Sequence, residues 1–286
     1  MKIKILTDSC CDLPIEIINE YNIDVLPIVV LKDEKEYFDQ INITPKEVYD
    51  GMRKGEIFKT AQISPISFQE KFEEYARDKV SVIYIAFSSA LSGTYQTSLF
   101  VKESIKEEYP DFDIDIVDTK AASLGFGLIV LHAAKLAKEG KTKEEILNEI
   151  SSVRNRLESI FTVDDLEYLF RGGRVSKTAA VVGGLLNIKP ILEVSEEGKL
   201  VPVEKIRGRN KVFKRMIEMM SERGKDADLE NQIVAISHGD DIESANKLKE
   251  MVEQTFGTKT FIMNMIGAAV GSLSGPGTIT LFFLSK

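Results

Sequence analysis

The first half of the chain alternates short apolar runs with longer amphipathic segments. Lys2 to Leu6 and Ile114 to Val117 resemble strands, and Val82 to Phe87 is continuously apolar and rich in β-branched and aromatic residues. Such a run is typical of a strand buried on both faces of a parallel sheet. Each run leads through polar residues into a helix-length segment. The pattern therefore predicts a mainly parallel sheet that is covered by helices on both faces.

The pattern changes after about residue 158, where strands follow one another more closely. Ser195 to Gly198 joins two of these strands as a hairpin turn. The predicted strands are Ile188 to Val194, Lys199 to Lys205, Gln232 to Ser237, Thr258 to Asn264 and Thr278 to Leu284. We therefore predict an α/β protein of two domains. Residues 1–158 form a three-layer α/β/α domain with a mainly parallel sheet, and residues 159–286 form a mixed sheet with helices.

A polar loop follows the apolar run Val82 to Phe87. It contains Ser92, Gly93 and Thr94 and leads into a helix-length segment from Tyr95 to Glu108. Open α/β sheets bind ligands at this edge, because unpaired N–H groups and the helix dipole favour an anion there. The alternative interpretation is that Ser92 or Thr94 only caps the following helix.

Two further segments resemble ligand-binding loops. The polar segment Lys59 to Pro65 contains Thr60 and precedes another helix-like stretch, Phe68 to Arg77. Two hydroxyl-bearing loops thus lead into helices of adjacent units. The glycine-rich segment Ile266 to Gly277 is expected to be a loop, either a tight connection into the last strand or a wall of a ligand site.

Composition narrows the class of protein. The chain has 286 residues, 43% of them hydrophobic, which is enough for two ordinary domains with sizeable cores. Its net charge of −8 disfavours nucleic acid as a partner, because sequence-independent binding to nucleic acid requires clustered basic residues.

Cys10 and Cys11 are adjacent, a spacing that suits neither a disulfide framework nor a zinc site. Because we find neither a signal peptide nor an apolar run of roughly 20 residues, we expect a cytoplasmic protein.

Familiar catalytic motifs are missing from the sequence. It contains no P-loop, no HExxH, no GxSxG and no GxGxxG after a strand. His132 lies on an apolar helix, where packing is the favoured role, and His238 follows a strand, where a structural or capping role is favoured. We therefore expect neither catalytic residues nor a metal site nor a cofactor.

A basic segment from Lys205 to Lys225 departs from the acidic balance of the chain. Its apolar residues fall at helical spacing, so the favoured interpretation is a solvated helix face above a stripe that contacts the core. The alternative is a docking surface for an acidic protein or for anionic lipid headgroups, which would allow a transient contact with a membrane surface.

Taken together, the ordered motifs resemble the DegV family of bacterial fatty-acid-binding proteins, which includes the fatty-acid carrier subunits of fatty acid kinase. The resemblance covers nearly the whole chain. The motifs that carry it are TDSCCDLP, KTAQISP, SSALSGTYQ, DTKAASLG, LEYLFRGGRVS and GSLSGPG. Each motif is weak alone, but their order and spacing make the set specific.

The resemblance implies a long-chain fatty acid as ligand, with its head group near the junction of the two domains and its tail in an apolar tunnel enclosed by the second domain. The hydroxyls that bind the head group in the family fall on Thr60 and Ser92, and the N–H of Gly93 would assist them. Arg174 matches the family's arginine near the carboxylate, with Arg171 as the alternative.

The sequence departs from the carrier pattern at Leu273, which stands where many carriers have a histidine before the SGPG or TGPG motif. Leucine cannot donate a hydrogen bond to a carboxylate or an acyl phosphate, so the departure bears on transfer chemistry more than on fatty-acid binding. We therefore expect a binding protein without enzymatic activity that presents the carboxylate to a separate kinase subunit in fatty acid activation. The alternative function is an enzyme acting on a small phosphorylated or carboxylated metabolite.

Overall fold

The computed structural model describes residues 3–176 and 188–286. The strands are β1 (Ile3–Asp8), β2 (Asp24–Leu26), β3 (Val29–Lys32), β4 (Lys35–Phe38), β5 (Lys59–Ala61), β6 (Ser81–Ala86), β7 (Ile114–Asp118), β8 (Leu157–Thr162), β9 (Ile188–Val194), β10 (Leu200–Arg207), β11 (Ile233–His238), β12 (Thr260–Met265) and β13 (Ile279–Leu284). The helices are α1 (Ile15–Glu20), α2 (Pro45–Arg53), α3 (Pro65–Arg77), α4 (Thr94–Glu108), α5 (Ser123–Lys138), α6 (Lys143–Arg156), α7 (Glu167–Arg171), α8 (Arg209–Arg223), α9 (Ile242–Phe256) and α10 (Ala268–Ser274).

The first sheet is parallel throughout, with the strand order β2-β1-β6-β7. Its central strand β6 is buried at every position, as its continuous apolar sequence predicts. Phe68 and Phe72 of α3 pack on one face of β6, with ring centroids 5.3 and 6.5 Å from that of Tyr84. The prediction of a mainly parallel first sheet is confirmed.

The second sheet has six strands in the order β10-β9-β8-β13-β11-β12. All neighbouring pairs are antiparallel except β11 and β12. The predicted hairpin is present as β9 and β10, and the prediction of a mixed second sheet is confirmed. β8 begins at Leu157, so the predicted boundary after residue 158 falls inside this strand. The division into domains at that position stays a prediction.

A third, antiparallel sheet of order β4-β3-β5 is absent from the sequence-based prediction. The apolar run from Asp24 to Val30 is divided between β2 and β3, which belong to different sheets. Pro27 lies at the break, and proline has no N–H group for a sheet ladder. Thr60 was expected in a loop, whereas it lies on β5 and pairs with Val30.

The glycine-rich segment 266–277 is also different from the prediction. It contains the helix α10 instead of being a loop throughout. The first residues of this helix are held by side chains from the other half of the chain, as described below, and this tertiary contact leaves no local sequence signal. Gly275 and Gly277 follow the helix with φ of 84° and 79°, a conformation that favours glycine.

Helix α5 lies between the two large sheets and contacts β1 on one side and β8, β11 and β13 on the other. Two glycines allow these close approaches. A Cβ atom on Gly127 would lie 2.5 Å from the carbonyl oxygen of Cys11, and one on Gly125 would lie 2.6 Å from the Phe282 ring. Burial on both sides explains why α5 is apolar around its circumference. Within residues 3–176 and 188–286, no helix is both long and apolar enough to span a membrane.

Candidate ligand-binding site

A cavity of about 280 Å³ lies where the segments after β1 and β6 face α10 and the mixed sheet. Thr60, Ser92, Gly93 and Arg174 all contribute to its wall. The larger apolar side chains of the wall are Ile28, Phe87, Leu91, Phe161, Leu169, Val194, Leu200, Ile266, Val270, Leu273 and Phe282. The structure thus brings the four predicted head-group residues to one largely apolar cavity.

The loop after β6 positions Ser92 at the start of α4. The Ser92 hydroxyl oxygen accepts a hydrogen bond from the Thr94 N–H at 3.2 Å and lies 2.8 Å from the Thr94 hydroxyl. Ser88 anchors the same loop by donating to the carbonyl oxygen of Gly198 at 2.9 Å. The N-cap of α4 is Gly93, so Ser92 binds the first N–H of the helix from the position before the cap, and it also lies in the cavity wall.

Gln62 fixes the distance between the two segments that carry Thr60 and Ser92. Its Nε2 donates to the Thr97 hydroxyl at 2.7 Å, which joins the end of β5 to the first turn of α4. A Cβ atom on Gly93 would lie 2.0 Å from Gln62 Oε1, so a side chain at position 93 would displace the Gln62 amide group. The Thr60 hydroxyl makes no hydrogen bond to any residue of the described chain and is free to donate into the cavity.

Arg174 supplies a positive charge to the wall. Its Nε donates to the carbonyl oxygen of Leu91 at 3.0 Å, and Nη1 donates to the carbonyl oxygen of Gly172. Burial lowers the pKa of the guanidinium, and no acidic side chain within the described ranges forms an ion pair with it. A partly buried guanidinium without a carboxylate partner has the charge and the hydrogen-bond donors that suit an external anion.

A second cavity of about 200 Å³ adjoins the first. Thr60, Arg174 and Leu273 line both cavities, and Arg171 lines only the second. The Arg171 guanidinium lies 5.5 Å from the centre of the Tyr168 ring. Of the two arginines that the sequence suggested, Arg174 is therefore the one in the wall of the apolar cavity.

Two buried carboxylates support the cavity from the opposite side. Asp12 Oδ1 accepts from the N–H of Gly267 at 2.9 Å, while Asp39 accepts from the N–H groups of Ala268 and Ala269 at 3.0 and 3.2 Å. Ser123 and Ser9 donate further hydrogen bonds to Asp12 and Asp39 at 2.6 and 2.9 Å. These bonds attach the start of α10, and with it one wall of the cavity, to the parallel-sheet half.

Neither histidine lines the cavity. Nδ1 of His132 lies 3.1 Å from Glu149 Oε1, and Nδ1 of His238 accepts from the Asp241 N–H, also at 3.1 Å, before the first turn of α9. Burial lowers the pKa of both imidazoles. These contacts agree with the packing and capping roles that the sequence favours.

Three of the four arginines in the basic segment are paired with acidic side chains. The pairs are Arg209 with Asp164 and Asp241, Arg215 with Glu204, Glu218 and Glu222, and Arg223 with Glu158 and Glu193. The apolar stripe of α8 is buried, including Val212, Phe213 and Met216. The geometry therefore favours a solvated helix face over a docking surface at this segment.

Comparison with known proteins identifies the family. The model of the DegV family, described as uncharacterised proteins, matches residues 2–286. The chain belongs to the DegV family. A DegV domain-containing protein from Clostridium perfringens is 42% identical over 99% of this chain and 97% of that protein. This match extends over nearly the full length of both proteins.

Solved DegV structures have the same architecture. A DegV family protein from Thermus thermophilus, described for its fatty acid binding, superposes with a TM-score of 0.90 at 30% identity and covers both chains completely. A stearic-acid-binding protein from Eubacterium ventriosum gives a TM-score of 0.89 at 27% identity over 99% of this chain and 98% of that one. The structural neighbours of this DegV protein are thus fatty-acid-binding proteins.

Sequence reasoning missed several residues that build the site. Gln62 lies within KTAQISP and Asp12 within TDSCCDLP. Both residues therefore belong to motifs that carry the family resemblance, yet the sequence analysis assigns neither a role. Asp39 lies outside every motif, and its contact with Ala268 spans a sequence separation of 229 residues. Only an alignment of related sequences or the structure could have indicated that contact.

The buried aspartates predict a characteristic dependence of stability on pH. Burial raises the pKa of Asp8 and of Asp39 from 3.8 to about 6. Their contribution to stability is therefore full below about pH 4 and is lost as the pH rises through about 6. We expect the unfolding free energy of Asp39→Asn to fall less steeply over this window than that of the wild type, by up to about 1.4 kcal/mol per pH unit. Denaturant unfolding at several pH values measures both slopes, and parallel slopes would contradict the assignment.

Proposed function

We propose that this protein binds one long-chain fatty acid, with the carboxylate at Thr60, Ser92, the N–H of Gly93 and Arg174, and the acyl chain in the apolar cavity. The observation that carries the proposal is the partly buried Arg174 guanidinium, which has no acidic partner in the described chain and lines the same two cavities as Thr60, whose hydroxyl makes no hydrogen bond there. The fatty acids bound by the structural neighbours support the same ligand class.

The charges around the cavity also give the ligand a direction. Asp12 and Asp39 lie behind the wall near the start of α10, whereas Arg174 lies at the junction with the second cavity. A ligand carboxylate is attracted to the guanidinium, since charges in a low-dielectric interior interact strongly, whereas burial disfavours negative charge at Asp12 and Asp39 and raises the pKa of both. The acyl chain then extends along the apolar side chains.

A comparison of free energies indicates that the acyl tail supplies most of the affinity and that the head group sets the orientation of the ligand. Burying about 15 methylene groups at ~0.8 kcal/mol each gives roughly 12 kcal/mol of gross driving force. Immobilising the ligand and the protein removes several kcal/mol of this. Each head-group hydrogen bond contributes about 1 kcal/mol, and more where a charge is involved.

We further propose that the protein is a carrier and not an enzyme, and that it presents the bound carboxylate to a partner kinase subunit. The described residues contain no group of three or more acidic, histidine or cysteine side chains suited to a metal ion, and neither histidine faces the cavity. Leu273 lines both cavities and cannot donate a hydrogen bond, so any phosphoryl chemistry at the head group depends on groups from the partner.

Solvent extraction of the purified protein followed by mass spectrometry tests the proposed ligand class. We expect fatty acids of about 14 to 18 carbons to co-purify in a ratio approaching one per protein, because the apolar wall retains the chain. A small phosphorylated or carboxylated metabolite in place of a fatty acid would favour the alternative enzymatic function. Protein denatured before purification and then refolded serves as the ligand-free reference.

Thr60→Val tests the head-group site while preserving side-chain shape. Because the Thr60 hydroxyl has no hydrogen-bond partner in the described chain, we expect unchanged stability and about fivefold weaker binding of hexadecanoic acid, equivalent to ~1 kcal/mol. Isothermal titration of delipidated protein measures both variants. Thr260→Val, at an exposed position on β12, is the matched control and should bind like the wild type. Undiminished affinity in Thr60→Val would remove this residue from the site.

Val194→Trp tests whether the apolar cavity holds the acyl chain. Val194 ends β9 and lines the cavity, so an indole ring at this position occupies space that the chain needs. We expect more than tenfold weaker binding with the fold retained, since Val194 is only partly buried. Val201→Trp, on the exposed side of β10, is the control and should leave binding unchanged. Equal affinities in the two variants would show that the chain lies elsewhere.

A further inference from the structure

Ser274 carries a buried hydroxyl group for which the described chain provides no partner. The residue ends α10 and is 6% exposed, and its Oγ makes no hydrogen bond to the residues that the structure describes. Ser272, two residues earlier, is equally buried, yet its Oγ donates to the carbonyl oxygen of Ala269 at 2.8 Å. An unsatisfied buried hydroxyl is unfavourable in the free protein, so its presence at position 274 requires an explanation.

The position of Ser274 supplies that explanation. Ser274 lines the apolar cavity and directly follows Leu273, which lines both cavities together with Thr60 and Arg174. Ser274 therefore shares the cavity wall with Thr60, Ser92 and Arg174, and it enters that wall from the end of α10.

We propose that the Ser274 hydroxyl is a further hydrogen-bond donor to the carboxylate of the bound ligand, an inference that rests on the proposed fatty-acid binding. The acyl chain offers no acceptor, so the carboxylate is the only group of such a ligand that satisfies this hydroxyl. Hydrogen bonds to a charged acceptor are roughly twice as strong as neutral ones. The head group is then held from both halves of the molecule, by Thr60 and Ser92 on one side and by Arg174 and Ser274 on the other.

The test compares Ser274→Ala with Ser272→Ala, using hexadecanoic acid and hexadecane as probes on delipidated protein. Ser274→Ala should weaken binding of the acid five- to tenfold and leave hexadecane unchanged or bound more tightly, because the alkane has no use for a hydroxyl. Its unfolding midpoint without ligand should stay the same or rise. Ser272→Ala should lower the unfolding midpoint, because it removes a satisfied hydrogen bond, and should leave both affinities unchanged.

The outcomes separate this inference from the proposed function. If the wild type binds hexadecanoic acid and Ser274→Ala binds it equally well, the assignment of Ser274 is overturned while fatty-acid binding stands. An equal loss of affinity for acid and alkane would also overturn it, since that pattern indicates a change in cavity shape. If the wild type binds the alkane but shows no preference for the acid, both the head-group site and the role of Ser274 fail.

Discussion

Two buried carboxyl groups join the parallel-sheet half of this protein to the start of α10. Asp12 and Asp39 come from the parallel-sheet half, and they accept hydrogen bonds from the N–H groups of Gly267, Ala268 and Ala269 at the start of α10. A carboxylate removed from water is tolerated only where donors replace its hydration. The two groups therefore cannot separate from α10 without a large cost, and α10 forms a wall of the cavity. This contact thus attaches one wall of the cavity to the parallel-sheet half.

The same arrangement makes the cavity electrostatically asymmetric. The carboxyl groups of Asp12 and Asp39 lie behind the wall near α10, whereas the hydrogen-bond partners of Arg174 within the described residues are backbone carbonyl groups. Burial raises the pKa of both carboxyl groups, because a charged carboxylate loses its hydration at these positions. The proposed fatty acid suits this arrangement, because its carboxylate can lie near the Arg174 guanidinium while its acyl chain lies along the apolar wall.

Local pattern was sufficient to predict some elements and insufficient for others. β6 and the hairpin of β9 and β10 were predicted because burial on two faces and turn composition are encoded over a few neighbouring residues. The helix α10 was missed because its glycines and serines have weak helical propensity, and its N-terminal N–H groups are satisfied by residues more than 200 positions away. Thr60 and Ser92 were chosen by motif, but Gln62, which sets their spacing, carries no signal of its own.

Polar groups without partners distinguish a binding cavity from a packing defect. An apolar cavity alone would accept any hydrocarbon of suitable shape, because burial of apolar surface is not directional. Thr60 and Ser274 add hydroxyl donors, and Arg174 adds a charge, for which the described chain offers no acidic counterpart. Of these groups, the Ser274 hydroxyl is buried and unpaired in the described chain, so it is unfavourable in the empty protein. In the proposed complex an acidic head group supplies the missing acceptor and an alkane does not, so the proposed selectivity follows from what the free protein lacks.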